Sequence, residues 1–157
     1  DRKKIVLEVH GANLEAQTGE FRDKIKALAD PLIKKGVVQW MGPYQPHELH
    51  SRMAGIDWVV VPSVWWENSP MVIQEAFVSG RPLLVSDIGG MKEKIANGRN
   101  GLHVASGNAR AWAQALLRAG DPQLHESLRD GIRKPADHQA IASAHLEVIS
   151  QRAMATA

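Results

Sequence analysis

The sequence predicts a single α/β domain in which a parallel sheet carries helices on both faces. Three observations lead there. Short apolar runs alternate with helical segments along most of the chain. The stretch from Asp57 to Gly101 spells a complete strand–loop–helix–strand–loop unit, and parallel strands need a crossover of that kind. Within that unit Pro62, Gly80 and Pro82 stand at the joints, where they end elements rather than interrupt them.

Taken in order, Lys4 to His10 reads as a buried strand, and Gly11 opens the loop after it. Thr18 to Lys35 is helical, with Phe21, Ile25, Leu28, Leu32 and Ile33 at helical spacing. Pro31 is expected to break or kink it, because proline donates no N–H and crowds the preceding turn. Val37 to Trp40 is a second strand and Gly42-Pro43 turns the chain. Pro46 to Ala54 is a short helix ended by Gly55, and Trp58 to Val61 is a strand stopped by Pro62.

The next helix has clear punctuation. Ser69 suits the N-cap, Pro70 the first helical position, and Gly80 the position just past the end. Val72, Ile73, Ala76 and Phe77 form its apolar stripe, facing the sheet, while Glu75 projects beside Met71 and Val78. A strand at Pro82 to Val85 leads to Gly89-Gly90 and a short helical segment. After Gly101 to Val104, Asn108 caps a helix bearing Trp112, Ala115, Leu116 and Ala119. Asp121-Pro122 starts another around Leu124 and Leu128. Asp137 to Arg152 reads as a terminal amphipathic helix with Ile141, Leu146 and Ile149. The alternation as a whole is Rossmann-like, with three layers.

Composition bounds the function. The 157 residues are 44% hydrophobic and 23% charged, ordinary values for a globular domain able to bury a core. A net charge of +2 does not call for nucleic acid as a partner. There is no cysteine, so disulfides and thiolate metal sites are excluded and a reducing compartment is compatible. No apolar run approaches the ~20 residues that cross a bilayer. The chain begins at Asp1, which reads as a fragment or a processed chain.

Two carboxylates stand out in the central unit. Glu67 lies just before the helix and Glu75 within it, separated by ~12 Å if the offset were fully helical. The free N–H groups of the helix start lie between them, where anions bind well. The pair is thus suited to the two ends of an extended, phosphate-containing ligand.

The full pattern is P-S-x-x-x-E-N-S-P-x-x-x-x-E-A-x-x-x-G-x-P, followed by S-D-x-G-G-x-x-E and N-G-x-N-G-L. It resembles retaining glycosyltransferases of the GT-B architecture, specifically the C-terminal, nucleotide-sugar-binding domain of glycosyltransferase family 4. The resemblance covers most of the chain, roughly Val6 to Arg118.

The resemblance implies roles residue by residue. Glu67 would hold hydroxyls of the transferred sugar and Glu75 the ribose diol; a carboxylate has acceptor oxygens for both members of a diol. Asn68, Ser69, Met71 and Val72 would offer the diphosphate their backbone N–H groups. Here the sequence departs from the commoner Gly-Phe-Gly-like run, and Pro70 stands where a donor is often available. Gly42, Pro43 and Tyr44, with Leu49 beyond them, would border the nucleobase, on which Tyr44 could stack. Trp66, Gly89 and Gly90 would approach the sugar or acceptor. For each group a purely structural role is the competing expectation: helix capping for Ser69-Pro70, turn geometry for the glycines, core or interface packing for the tryptophans.

The donor would be a UDP-, GDP- or ADP-sugar, with no cofactor and no metal. The resemblance also implies an N-terminal acceptor domain, a glycan or lipid-linked acceptor, and a diphosphate-binding arginine and lysine from a segment preceding this one. Arg2, Lys3 and Lys4 do not match that basic pair, so the chain reads as truncated at its N-terminal end and inactive when isolated. A cytoplasmic location follows, with peripheral contact at the inner face of the membrane through basic surfaces such as Lys34-Lys35 and Arg133-Lys134.

Other chemistries fail on inspection. No Asp-x-Asp occurs, and His47-Glu48-Leu49-His50 is one residue short of the helical zinc motif. Neither G-x-S-x-G nor a phosphate-binding Gly-Lys-Ser/Thr loop is present. A nucleotide-sugar epimerase of the same architecture fits the two-glutamate pattern poorly. The alternative to a transferase half is a non-catalytic binding or scaffolding domain that kept the fold and lost donor binding.

Overall fold

The structure, a computed structural model, describes residues 5–11 and 14–155. Lys4, where the first strand was expected to begin, and the basic Arg2 and Lys3 lie outside them. The elements are β1 (Leu7–His10), α1 (Gly19–Lys34), β2 (Val38–Gly42), α2 (Leu49–Ala54), β3 (Val59–Val61), α3 (Met71–Val78), β4 (Leu83–Ser86), α4 (Gly89–Lys94), β5 (Gly101–Val104), α5 (Ala109–Ala119), α6 (Pro122–Asp130) and α7 (His138–Ala155). Short 3₁₀ turns at Leu14–Ala16 and Pro46–Glu48 complete the list. The predicted α/β class holds: every strand pair is parallel.

The strands hydrogen-bond as two sheets, β1 with β2 and β3-β4-β5. β4 is the centre of the larger one, with Leu83, Leu84, Val85 and Ser86 all without solvent exposure. Its alternation sends Leu83 and Val85 into a cluster with Met53, Val59, Ile73, Ala76, Phe77 and Met91, and Leu84 into one with Leu102, Val104, Ala115 and Leu128. Helices α2, α3 and α4 therefore cover one face and α5 and α6 the other, which is the predicted three-layer arrangement.

Local chemistry accounts for the boundaries. Asn108 Oδ1 accepts from Ala111 N at 3.1 Å to start α5, and Asp121 Oδ1 accepts from Gln123 N at 2.9 Å to start α6. Each such cap is worth about 1 kcal/mol. Gly80, at φ +66°, ends α3 and lets Arg81 N–H donate to Ala76 O.

Three expectations are corrected. Pro31 does not break α1, which continues to Lys34 before Gly36 (φ +66°) ends it. Ala27, whose carbonyl loses its partner, is exposed, so water can satisfy that oxygen. Ser69 is not the N-cap of α3. That place belongs to buried Pro70, and Ser69 makes no capping hydrogen bond. Nor does α7 present one apolar face to the domain. Ile141, Leu146, Val148 and Ile149 are spread around the helix and all are exposed. The apolar residues of α1 are also largely uncovered, among them Phe21, Leu28, Leu32 and Ile33.

Candidate functional site

The predicted residues fall into two groups at the carboxyl ends of the strands, the edge at which α/β sheets bind ligands. The first is the turn between β3 and α3 with the turn after β4. Glu67 O accepts from Gly90 N–H at 2.6 Å. Gly89 and Gly90 are buried, and a Cβ on either would lie 2.8 Å from Glu67 O. On Gly90 it would also collide with Asn68 O, and on Gly89 it would meet Trp66 Cδ1 at 3.3 Å. The two glycines therefore set the position of Glu67 and Asn68 by letting two backbones touch. Gly89 also has φ +52°, which favours glycine independently.

Helix α3 starts immediately after this loop. With Pro70 at the N-cap, Ile73 N–H is used by Pro70 O at 3.2 Å, while Met71 and Val72 N–H have no acceptor among the described residues. Pro70 thus removes no donor from the helix itself. Those two amides lie at the positive end of the helix dipole, directly after the loop that carries Glu67. Glu67 and Glu75 are both half-buried, and among the described residues neither carboxylate takes a hydrogen bond or an ion pair. The stripe of Ile73, Ala76 and Phe77 buries the opposite face of α3 and leaves Glu75 at its border. Trp65 and Trp66 are 76% and 70% exposed beside Glu67, with Val64 and Met71 exposed as well.

The second group centres on Tyr44. Arg52 of α2 lies over its ring, 5.2 Å from the centroid, and His10 meets it edge-on at 6.4 Å. Arg52 Nη1 donates to His10 Nδ1 at 3.1 Å, so Nδ1 carries no proton and Nε2–H donates to Glu8 Oε2 at 2.9 Å. Arg52 Nη2 reaches Glu48 Oε1 at 3.4 Å, and Glu48 Oε2 accepts from Gln45 N–H at 2.7 Å. That backbone hydrogen bond, and then Arg52, hold the Glu48 carboxyl below its usual range. Gly11 N–H donates to Gly42 O at 2.8 Å, and Gly11 carries no side chain beside Tyr44 Cε1.

Sequence reasoning missed His10 and Arg52. The Glu48–Arg52 spacing on a helix was the one readable signal, and it points to an ordinary surface pair. Leu49, at the start of α2, packs against the core of Met53 and Val59. A cavity of about 360 Å³ between α1 and β2 is lined by Ile25, Ile33, Trp40, Gly42 and Pro43. Of the predicted site residues Gly42 and Pro43 border it, while Glu67, Glu75, Gly89 and Gly90 do not. Among the described residues no helix is long and apolar enough to cross a membrane.

The family described as glycosyl transferases group 1 matches residues 1–139. The D-inositol 3-phosphate glycosyltransferase of Jonesia denitrificans is 34% identical over 134 residues, covering 80% of this chain and 30% of that protein. An uncharacterized glycosyltransferase of Methanocaldococcus jannaschii is 35% identical over 114 residues, 72% of this chain and 29% of that protein. The chain therefore spans about a third of the length of these relatives. Among solved structures, Anabaena HepE in complex with UDP-glucose is similar with a TM-score of 0.67 at 24% identity, over 98% of this chain and 41% of that one. A glycosyltransferase of Rickettsia africae reaches 0.73 at 21% identity, over 94% and 40%. The strand–helix unit, the Glu67 loop clamped by two glycines and these matches agree: the chain belongs to the glycosyl transferases group 1 family and has the fold of the C-terminal half of a GT-B glycosyltransferase.

Proposed function

We propose that this chain is the donor-binding half of a retaining, metal-independent glycosyltransferase that takes a hexose from a nucleoside diphosphate sugar. The observation that carries the reading is the loop of Glu67 and Asn68, fixed by Gly89-Gly90 at the start of a helix whose Met71 and Val72 N–H groups are unused. A diphosphate placed there meets two aligned donors and the helix dipole, which also stabilise charge developing on the leaving group. Glu67 takes the sugar hydroxyls and Glu75 the ribose diol, both being uncommitted to any protein cation. Gly42, Pro43 and Tyr44 border the base. Asn68 and Ser69 shape the phosphate loop through their backbone, and Trp66 closes the sugar side.

The acceptor, a glycan or a lipid-linked glycan, is held by an N-terminal domain of the same protein, so the 157 residues alone bind donor without transferring sugar. HepE was solved with UDP-glucose, which makes UDP-hexose the first donor to try.

The test is a calorimetric titration with UDP, GDP and ADP and their hexose conjugates, repeated on Glu75→Ala. One nucleotide binding, and weakening by about tenfold or more in the variant, is the expected result, since a lost charge-assisted hydrogen bond costs roughly 1.5–3 kcal/mol. Equal affinity of the native chain and Glu75→Ala would remove the ribose assignment. No binding by the complete gene product would favour a scaffolding domain.

A further inference from the structure

Arg52 stands on α2 one helical turn after Glu48, the spacing of an ordinary surface ion pair. Its surroundings do not fit that role. The side chain is only 22% exposed, and its contact with Glu48, at 3.4 Å, is not its closest. The bond that Nη1 donates to His10 Nδ1 is shorter, 3.1 Å, and reaches a strand 42 positions earlier. Nη1 also lies 3.5 Å from Met41 O on β2, and the guanidinium carbon stands over the Tyr44 ring at 5.2 Å from its centroid. One side chain of α2 thus meets β1, β2 and the turn after β2.

Each partner is itself held in place. Glu48 Oε2 accepts from Gln45 N–H at 2.7 Å, which leaves Oε1 for Arg52. Glu8 Oε2 takes the Nε2–H of His10 at 2.9 Å, so the tautomer with Nδ1 as acceptor is the one Arg52 requires. The His10 ring meets Tyr44 edge-on. Tyr44 is half-buried, and among the described residues its hydroxyl makes no hydrogen bond, so Arg52 and His10 are what hold the ring. A planar guanidinium can donate to His10 and Glu48 while lying on an aromatic face, which a lysine ammonium cannot do.

We propose that Arg52, held by His10 and Glu48, is a positioning residue for the nucleobase: it covers one face of Tyr44 and fixes the ring with its other face towards the base. Stacking depends on the offset and spacing of the two rings. A ring pinned on one face and one edge offers a preformed plane, whereas a free tyrosine would be ordered at each binding event, at a cost in affinity. His10 acts through Arg52. The inference rests on the placement of the base at Tyr44 given above.

A double-mutant cycle tests it, on the complete gene product titrated by calorimetry with UDP, and with GDP and ADP alongside. Arg52→Met is expected to weaken nucleotide binding by about two- to fivefold, the range of a partly exposed cation–π contact. Arg52→Lys should do the same although it keeps the charge. In a Tyr44→Ala background either substitution should change affinity by less than about 1.5-fold, because residues acting as one unit do not add. His10→Asn, whose amide oxygen can accept from Arg52, should bind as the native chain does, and His10→Phe as Arg52→Met does. Melting curves establish that the variants are folded, and Arg52→Lys carries the test if Arg52→Met is not. Native affinity in the Arg52 variants, or the same loss with and without Tyr44, would overturn the proposal and leave the base at Tyr44. Native affinity in Tyr44→Ala itself would remove the base assignment, and this proposal with it.

Discussion

Replacing Gly90 by alanine tests whether the glycine pair positions Glu67. The added Cβ would stand 2.8 Å from Glu67 O, where ordinary contact begins near 3.4 Å, and it would be closer still to Asn68 O. Glu67 O must therefore withdraw by about 0.6 Å, and Asn68 O by more. That movement also strains the 2.6 Å hydrogen bond from Gly90 N–H to Glu67 O. Overpacking of this kind costs roughly 1–3 kcal/mol of stability, and misplacing a positioning group by ~1 Å can cost on the order of 100-fold in rate.

The effect on ligands is selective. Glu75 and the base edge lie away from the clash, whereas Asn68 of the phosphate loop moves with Glu67, so Gly90→Ala should weaken the free nucleoside diphosphate somewhat and its hexose conjugate more. The sugar conjugate should lose its advantage over the free nucleotide. Calorimetry with the nucleotide and its hexose conjugate reads both, and a melting curve reads the stability cost. Gly55→Ala is the control, because its nearest contact would be 3.6 Å and its φ is −84°. Native affinity of Gly90→Ala for the sugar conjugate would refute the positioning argument, as would equal losses for nucleotide and conjugate.

Two more outcomes are expected. Tyr44→Ala should weaken nucleotide binding by roughly 2- to 12-fold, the range of 0.5–1.5 kcal/mol for an aromatic contact, while Tyr44→Phe retains it; competition with a fluorescent nucleotide measures both. Glu48 is held below the usual carboxylate range by the Gln45 N–H and by Arg52, so its contribution is present above that range and is lost as pH falls through the lower, folded value. An acid-unfolding series should show Glu48→Gln less stable than the native chain at pH 6, the two converging towards pH 3; a constant difference would contradict the linkage. The group is exposed, so the difference is small.

The class of the fold and the positions of Glu67 before α3 and Glu75 within it were legible because they rest on short-range chemistry. The apolar runs at Val59–Val61 and Leu83–Val85, the capping residues Asn108 and Asp121 and the Gly80 stop act within a few residues of where they stand. Glu67 and Glu75 could be placed on either side of a helix start because the residues between them mark that start locally. Ser69 was misplaced by one position, since a serine and a proline both suit a helix start and only the backbone path decides which comes first.

What the amino-acid order could not convey is which backbones touch. Gly89-Gly90 reads as a turn, and only packing reveals that its lack of side chains is needed by Glu67 and Asn68, more than twenty positions earlier. Arg52, His10 and Tyr44 meet through a fold that brings β1, the turn after β2 and α2 together, and no spacing encodes that meeting. The division into two sheets is of the same kind. Each strand's own sequence determines that it is apolar and extended, whereas its neighbours are chosen by crossovers and by how the whole sheet is filled. Local propensity is a property of a few adjacent residues, and pairing is a property of the complete set of strands.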